Sequence, residues 1–380
     1  MSLFFATFFL IYGLAHSYVF LIARRAFHFR AIPGFLLAFV MLVMMLLPVI
    51  VRYLEKGGQE SIARIAGYLG YTWMGALFLF VVASLFIDAC RLCFYLVGLA
   101  SAKDLSPTAR AYRHFFVIPL VFSLAAVAYG YYEAEQIKIE RIAIRTDKIP
   151  ENIRPLKVVQ ISDVHLGLIV QERRLGKILA EIKRIKPDML VSTGDLVDGQ
   201  LNHLAGLVDP LKEVSPPLGK FAIMGNHEFY AGIGTSISFT EKAGFTVLRG
   251  NGITVGGLIN VAGLDDITSV SFGYPEVSEK ALLSNLPKDK FTLLLKHRPV
   301  ADRDAVNLFD LQLSGHTHKG QIFPFRYVTK WFFPMYNGYF ELSDRSRLYA
   351  SRGSGTWGPP IRFLTPPEVT VIELVHEAKR

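Results

Sequence analysis

Cysteine is almost missing from this chain of 380 residues: only Cys90 and Cys93 occur, both in or beside an apolar segment. A CxxC redox or metal role is one reading of the pair, and ordinary membrane-helix residues the other. With no thiol in the rest of the chain, no disulfide there reports on the redox compartment. Charge is sparse as well, at 19% of residues against 51% hydrophobic. The net charge is +9, yet no basic repeat with interleaved aromatics occurs, so nucleic acid is not expected as a partner. No basic region precedes the first apolar block and no small-residue cleavage site is evident, which argues against a cleaved signal peptide. Internal repeats and low-complexity tracts are lacking too. What is there in excess is apolar residues, with a mean hydropathy of +0.33.

That excess lies in residues 1–132, read as a transmembrane region of about four helices. A spanning helix needs about 20 mainly apolar residues. Leu3 to Ile22, Gly34 to Val51, Gly67 to Leu99 and Phe115 to Tyr132 qualify or nearly do. The third block is too long for one tight span and suits a tilted helix extending past the bilayer. Arg24, Arg25 and Arg30 follow the first span, so the positive-inside tendency places the N-terminus outside and the first loop in the cytoplasm. Lys103, Arg110 and Arg113 agree. The rest of the chain is then extracytoplasmic, on a multi-pass protein integral to the cell membrane, although Arg52, Lys56, Arg64, Lys138, Arg141 and Arg145 fall on the opposite side. Asp88 and Arg91 read either as a functional intramembrane pair or as an i, i+3 pair at the headgroups.

Residues 133–155 mix charge with Ile and end in Pro150 and Pro155, which suits a linker, and residues 156–380 read as one globular domain. Short Val/Ile/Leu-rich runs predict strands at LKVVQIS, DMLVST, Lys220 to Met224, Leu258 to Gly263, Phe291 to Leu295, Leu311 to Ser314, SRLYAS and VTVIEL. Helical spacing occupies Glu172 to Lys186 and Ser236 to Ala243. Short apolar strands alternating with helices argue for an α/β fold whose sheets are covered.

Five of the runs end in polar fragments: Asp163-x-His165, Gly194-Asp195, Gly225-Asn226-His227-Glu228, His297 and His316-x-His318. Open α/β sheets place ligands in such loops, beyond the carboxyl ends of strands. Asp163, His165, Asp195, Asn226, His297, His316 and His318 are too many ligands for one tetrahedral zinc and suit two ions of about five or six coordination. A shared carboxylate would hold such a pair roughly 3.5–4 Å apart, as in phosphatases and nucleases. The pair would activate a bridging water and neutralise phosphoryl charge. A histidine outside the metal shell suits protonation of the leaving oxygen, and His227 is the candidate. His16, His28, His114, His203 and His376 sit in no motif.

In series, D-x-H, G-D-x-x-D, G-N-H-[DE], a lone His and G-H-x-H resemble the calcineurin-like metallophosphoesterases across roughly residues 155 to 375. The resemblance implies a four-layer α/β/β/α sandwich and two divalent ions, Mn, Fe or Zn. Asp163, His165 and His318 would hold the first ion and Asn226, His297 and His316 the second, with Asp195 bridging. His227 would be the catalytic histidine and Asp198 its orienting partner. Gly199 stands where the protein Ser/Thr phosphatase branch has Arg, which speaks against that activity. The tail SRGSGTWGPPIRFLTPPEVTVIEL resembles the membrane-bound or secreted bacterial branch. It suggests a Gly353/Gly355 turn beside the site and an Arg362 contact to phosphate.

Lys319 reads as a phosphate ligand or a solvated lysine, and Asp265 and Asp266 as a loop turn or a border of the site. The run Trp331 to Met335 reads as core packing, an interfacial segment or an acyl-chain groove. The expected function is a membrane-anchored phosphoesterase hydrolysing a phosphodiester or pyrophosphate bond by metal-bound hydroxide. Some relatives cleave UDP-2,3-diacylglucosamine, so a lipid-linked substrate is expected. The competing reading is a membrane sensor or transport component with a regulatory or inert phosphoesterase domain.

Overall fold

The computed structural model describes residues 2–101, 112–199 and 204–378; Lys103, Arg110 and His203 lie outside the described residues. The chain divides into two units, Met1–Tyr132 with Gly358–Ile361, and Glu133–Trp357 with Arg362–Arg380.

In the first unit the apolar blocks become α1 (Ser2–Phe27), α2 (Ala31–Lys56), α3 (Glu60–Ala100) and α4 (Tyr112–Glu133). All are long and apolar enough to cross a membrane. With 41 residues, α3 is one unbroken helix. At about 1.5 Å per residue it is roughly twice the length a bilayer's hydrocarbon requires. Small residues of α3, among them Ala63, Gly67 and Gly70, are buried. A Cβ on Gly70 would lie 3.1 Å from Leu47 of α2, so the small residue lets these helices approach closely. His16 is satisfied internally: its Nδ1 lies 2.7 Å from the Tyr12 carbonyl, and its Nε2 accepts from the Trp73 indole at 2.9 Å. Asp88 and Arg91 form an i, i+3 ion pair at 2.9 Å, and the Tyr18 hydroxyl donates to the same carboxylate.

Among the described residues the second unit holds two six-stranded mixed sheets. The first runs β1 (Lys138–Thr146), β12 (Glu368–His376), β2 (Leu156–Ile161), β3 (Met189–Ser192), β4 (Lys220–Ala222), β5 (Thr246–Val247). The second runs β10 (Gly338–Glu341), β11 (Arg347–Ala350), β9 (Leu311–Ser314), β8 (Phe291–Leu295), β7 (Ile259–Gly263), β6 (Asn251–Val255). Val158, Val191 and Ile372 of the first sheet meet Val261, Leu293 and Leu311 of the second in one core between the sheets. The outer face of the first sheet packs on Leu175, Ile178 and Ile182 of α5 (Glu172–Ile185). That of the second is covered by Leu283 of α10 (Glu279–Ser284), with Ala305 and Phe309. The result is an α/β/β/α sandwich, as the resemblance implies.

Residues 133–155 differ from the expected linker, because β1 lies within them. It pairs in parallel with β12 along its whole length, from Lys138 opposite Glu368 to Thr146 opposite His376. Its charged residues tolerate this position because an edge strand buries little of their side chains, and only Ile144 is fully enclosed.

Candidate metal centre

The parallel strands β2, β3 and β4 of one sheet, and β8 and β9 of the other, carry the polar fragments at their carboxyl ends. The turns that follow are sharp. Asp163, His165, Asp195, His316 and His318 all adopt left-handed backbone, with φ of 50°, 53°, 53°, 72° and 48°. Side chains other than glycine rarely do so, at a cost on the order of 1–3 kcal/mol each. The loops hold one another in place: His165 N donates to Asp195 O at 3.0 Å, Leu166 N to Leu196 O at 2.9 Å, and Asp198 N to Leu166 O at 2.8 Å. A Cβ on Gly225 would sit 2.2 Å from Asp195 Oδ1, so only glycine allows the two loops this contact.

Most of the side chains chosen from the sequence converge. Three groups have ligand atoms mutually within 4.8 Å: Asp163–His165–His318, Asp195–His297–His316 and His165–Asp195–His227. His165 Nε2 lies 3.1 Å from His318 Nε2, and His318 Nε2 lies 3.4 Å from Asp163 Oδ1. On the other side His297 Nε2 is 3.2 Å from Asp195 Oδ2 and 3.2 Å from His316 Nδ1. Donor atoms about 3.0–3.4 Å apart are spaced as ligands sharing an ion at about 2.1 Å. Asn226 opens the short helix α7 (Asn226–Ala231), and among the described residues its buried Oδ1 has no hydrogen-bond partner. A buried amide oxygen left unpaired is costly, and a cation satisfies it. The residues present therefore fit divalent metal.

The protonation pattern agrees. Burial and the charge of His227 push His165 down to about 4, and burial and His297 push His316 down to about 3, leaving neutral imidazoles ready to ligate. Burial raises Asp163 to about 6. Burial also opposes ionisation of Asp195, but the facing His297 and His227 hold it well below its usual value. His297 is pushed down by burial, yet the carboxylate of Asp195 carries it up to about 10. His227 Nδ1 meets Asp198 Oδ1 at 2.8 Å; burial lowers the imidazole, and Asp198 and Asp195 outweigh it, raising it to about 9. Rings of Tyr230 and Trp357 flank His227 at 5.6 and 5.4 Å.

Several peripheral expectations change. Arg362 is fully buried and donates to the carbonyls of Gly355, Arg352 and His318, so it braces the loops and does not face a phosphate. Its 3.1 Å contact to His318 Nδ1 tethers that ring. The Gly353/Gly355 turn does lie beside the site, with Gly355 N donating to Asp163 O at 3.0 Å. The charged groups felt by Lys319 are Arg352, Arg326, Glu368 and Glu140, none of them a candidate ligand. Asp266 is buried and grips Arg298, the neighbour of His297, at 2.7 Å, while Asp265 pairs with Arg249. Sequence alone gives Glu228 no role. Its carboxylate accepts from the backbone N–H of Gly225, Asp195, Leu196 and Val197 at 2.6–3.2 Å, joining two ligand loops. Its place three residues beyond the helix cap is the available signal.

Residues 156–320 match the calcineurin-like phosphoesterase family. An uncharacterized metallophosphoesterase of Aquifex aeolicus is 39% identical over 249 residues, 65% of this chain and 95% of that one. One of Campylobacter jejuni is 29% identical over 81% of this chain and 83% of its own. A transmembrane protein with metallophosphoesterase domain from Danio rerio is 31% identical over 68% of this chain and 62% of its own. Since the Aquifex likeness spans nearly that whole protein, and the family match takes in every fragment gathered above, this chain belongs to the calcineurin-like metallophosphoesterases, metal-dependent phosphoric ester hydrolases.

Proposed function

We propose that this protein is a membrane-anchored, dinuclear phosphoesterase that hydrolyses a phosphodiester or pyrophosphate bond in a lipid-linked substrate. The observation that carries the reading is the position of Asp195. Its Oδ2 lies 3.2 Å from His297 and 3.8 Å from His165, between the two outer groups of ligands. In this reading Asp163, His165 and His318 would hold one ion and Asn226, His297 and His316 the other, with Asp195 serving both. Bound ions supply Lewis acidity, which acidifies water and neutralises phosphoryl charge. His227 sits outside both sets and donates a proton to the departing oxygen, and Asp198 orients its ring through Nδ1. The hydrophobic rings of Tyr230 and Trp357 shield that proton donor from bulk water. The four long apolar helices, together with the name of the Danio relative, support a multi-pass anchor. The Arg24, Arg25 and Arg30 cluster supports an extracytoplasmic catalytic domain.

The test is hydrolysis of bis-p-nitrophenyl phosphate by the purified full chain with manganese, iron or zinc. Asp195→Asn is expected to abolish metal loading and turnover. His227→Ala is expected to keep the metal and lose most of the rate, and loss of metal instead would refute its role. Inactivity with all three metals would favour a sensor or transport component. A reporter fused after Arg380 reads out the side of the membrane, and parallel assays of lipid-linked and soluble phosphodiesters read out the substrate class.

A further inference from the structure

From residue 311 to 340 the chain has no Asp or Glu, three cations (Lys319, Arg326, Lys330) and nine aromatic residues. At its centre stands the short helix α11 (Arg326–Phe332). The run around it is turned outward. Trp331 is 84% exposed, Phe332 72% and Tyr327 60%, with Phe325 and Val328 both at 46%. The core-packing reading of Trp331 and Phe332 is therefore excluded. What α11 buries is Thr329, whose hydroxyl donates to the Phe325 carbonyl at 3.3 Å. The guanidinium of Arg326 lies over the rings of Phe323 and Tyr327, at 4.7 and 5.2 Å, which places a cation at the aromatic surface.

Scattered apolar residues on a surface are ordinary; five large exposed ones within eight residues form a contiguous patch of the kind that marks an interaction site. Exposed Trp, Phe and Tyr mixed with Lys and Arg, and free of acidic residues, match the chemistry of an anionic headgroup layer. Aromatic rings settle there, and each cation near the surface gains from the negative potential. The four apolar helices of the same chain keep the second unit near a bilayer. We propose that α11 and Phe325 dock into the headgroup layer of an anionic membrane. This rests on the reading of α1–α4 as a membrane anchor. The Phe333 ring stands 5.2 Å from that of His316, so the docked element adjoins the metal centre and brings it to the layer where lipid phosphates lie.

The experiment uses the full chain with Cys90→Ala and Cys93→Ala, in nanodiscs of equal parts phosphatidylcholine and phosphatidylglycerol. A single cysteine at Tyr327→Cys carries a nitrobenzoxadiazole label, and a second preparation carries it at exposed Lys242→Cys on α8 (Ile233–Lys242). Spin-labelled lipid is expected to quench the label at 327 several-fold more than at 242, and W331S/F332S to reduce that difference. Replacing phosphatidylglycerol with phosphatidylcholine is expected to weaken it. Equal quenching at both positions, in a chain that resists alkaline carbonate extraction, overturns the docking. Extraction of the chain by carbonate instead removes the anchor reading, and the docking with it.

Discussion

The imidazole of His227 and the carboxylate of Asp198 are joined through Nδ1 and Oδ1 at 2.8 Å. In the proposed mechanism that bond leaves Nε2 for the substrate, and the negative charge raises the imidazole against its burial to about 9. A proton donor must hold its proton, so activity falls as pH rises through this value. Asp198→Asn withdraws the charge, and the folded His227 titrates lower. The alkaline limb of the kcat profile is expected to move to lower pH; an unmoved limb would show that His227 is not the donor.

Glu228 converges on four backbone N–H groups. Burial and the nearby Asp195 raise Glu228 to about 7, so at pH 8, where it is ionised, Glu228→Gln turns an amide donor toward some of them and loses charge-assisted hydrogen bonds worth roughly 1.5–3 kcal/mol each. For a unit of this size the melting temperature is expected to fall by about 5–15 °C, and metal content with it. Unchanged melting in detergent would sink the claim that Glu228 ties the ligand loops.

In the proposed site, metal must compete with a proton at His297. The Asp195 carboxylate keeps that imidazole protonated up to about 10 in the ion-free site, and only the neutral form ligates. Affinity is expected to tighten as pH rises toward that value, with protons released on loading. Calorimetry in buffers of different ionisation enthalpy measures the release. A pH-independent Kd without proton release contradicts it.

Arg362→Lys separates bracing from phosphate binding. Lysine cannot reproduce the fork that serves Gly355, Arg352 and His318 together. The variant is expected to lose about 3–5 kcal/mol of stability, given a few charged hydrogen bonds, while KM of the folded fraction stays unchanged. A raised KM with normal melting would restore the phosphate role.

The strands buried on both faces were legible because their residues form continuous apolar runs: β2, β3, β8 and β9 bury every position or nearly so. β1 escaped because charged residues interrupt its isoleucines: Ile142 and Ile144 face the core between the sheets and Ile139 the other side, but only Ile144 is fully buried. β5 has two residues and β6 is largely exposed, so neither carries a hydrophobic signature. At the site the ligand types could be read, since Asp, Asn and His at strand ends have few other uses. Their left-handed backbone could not, because residue type sets a preference for φ and not its value. The burial of Arg362 was invisible for a related reason: its partners are carbonyls, which every residue carries.

The place of β12 has a bearing on synthesis. It lies between β1 and β2, although 230 residues of sequence separate Lys138 from its partner Glu368. When β1 leaves the ribosome it has no neighbour, and β2 lacks one of its own. If α1–α4 anchor the chain as proposed, they can partition into the membrane as they emerge, whereas the sheet must wait, edge exposed, for β12. On the proposed membrane-anchored reading, assembly thus runs in a fixed order, with insertion first and a competent hydrolase second.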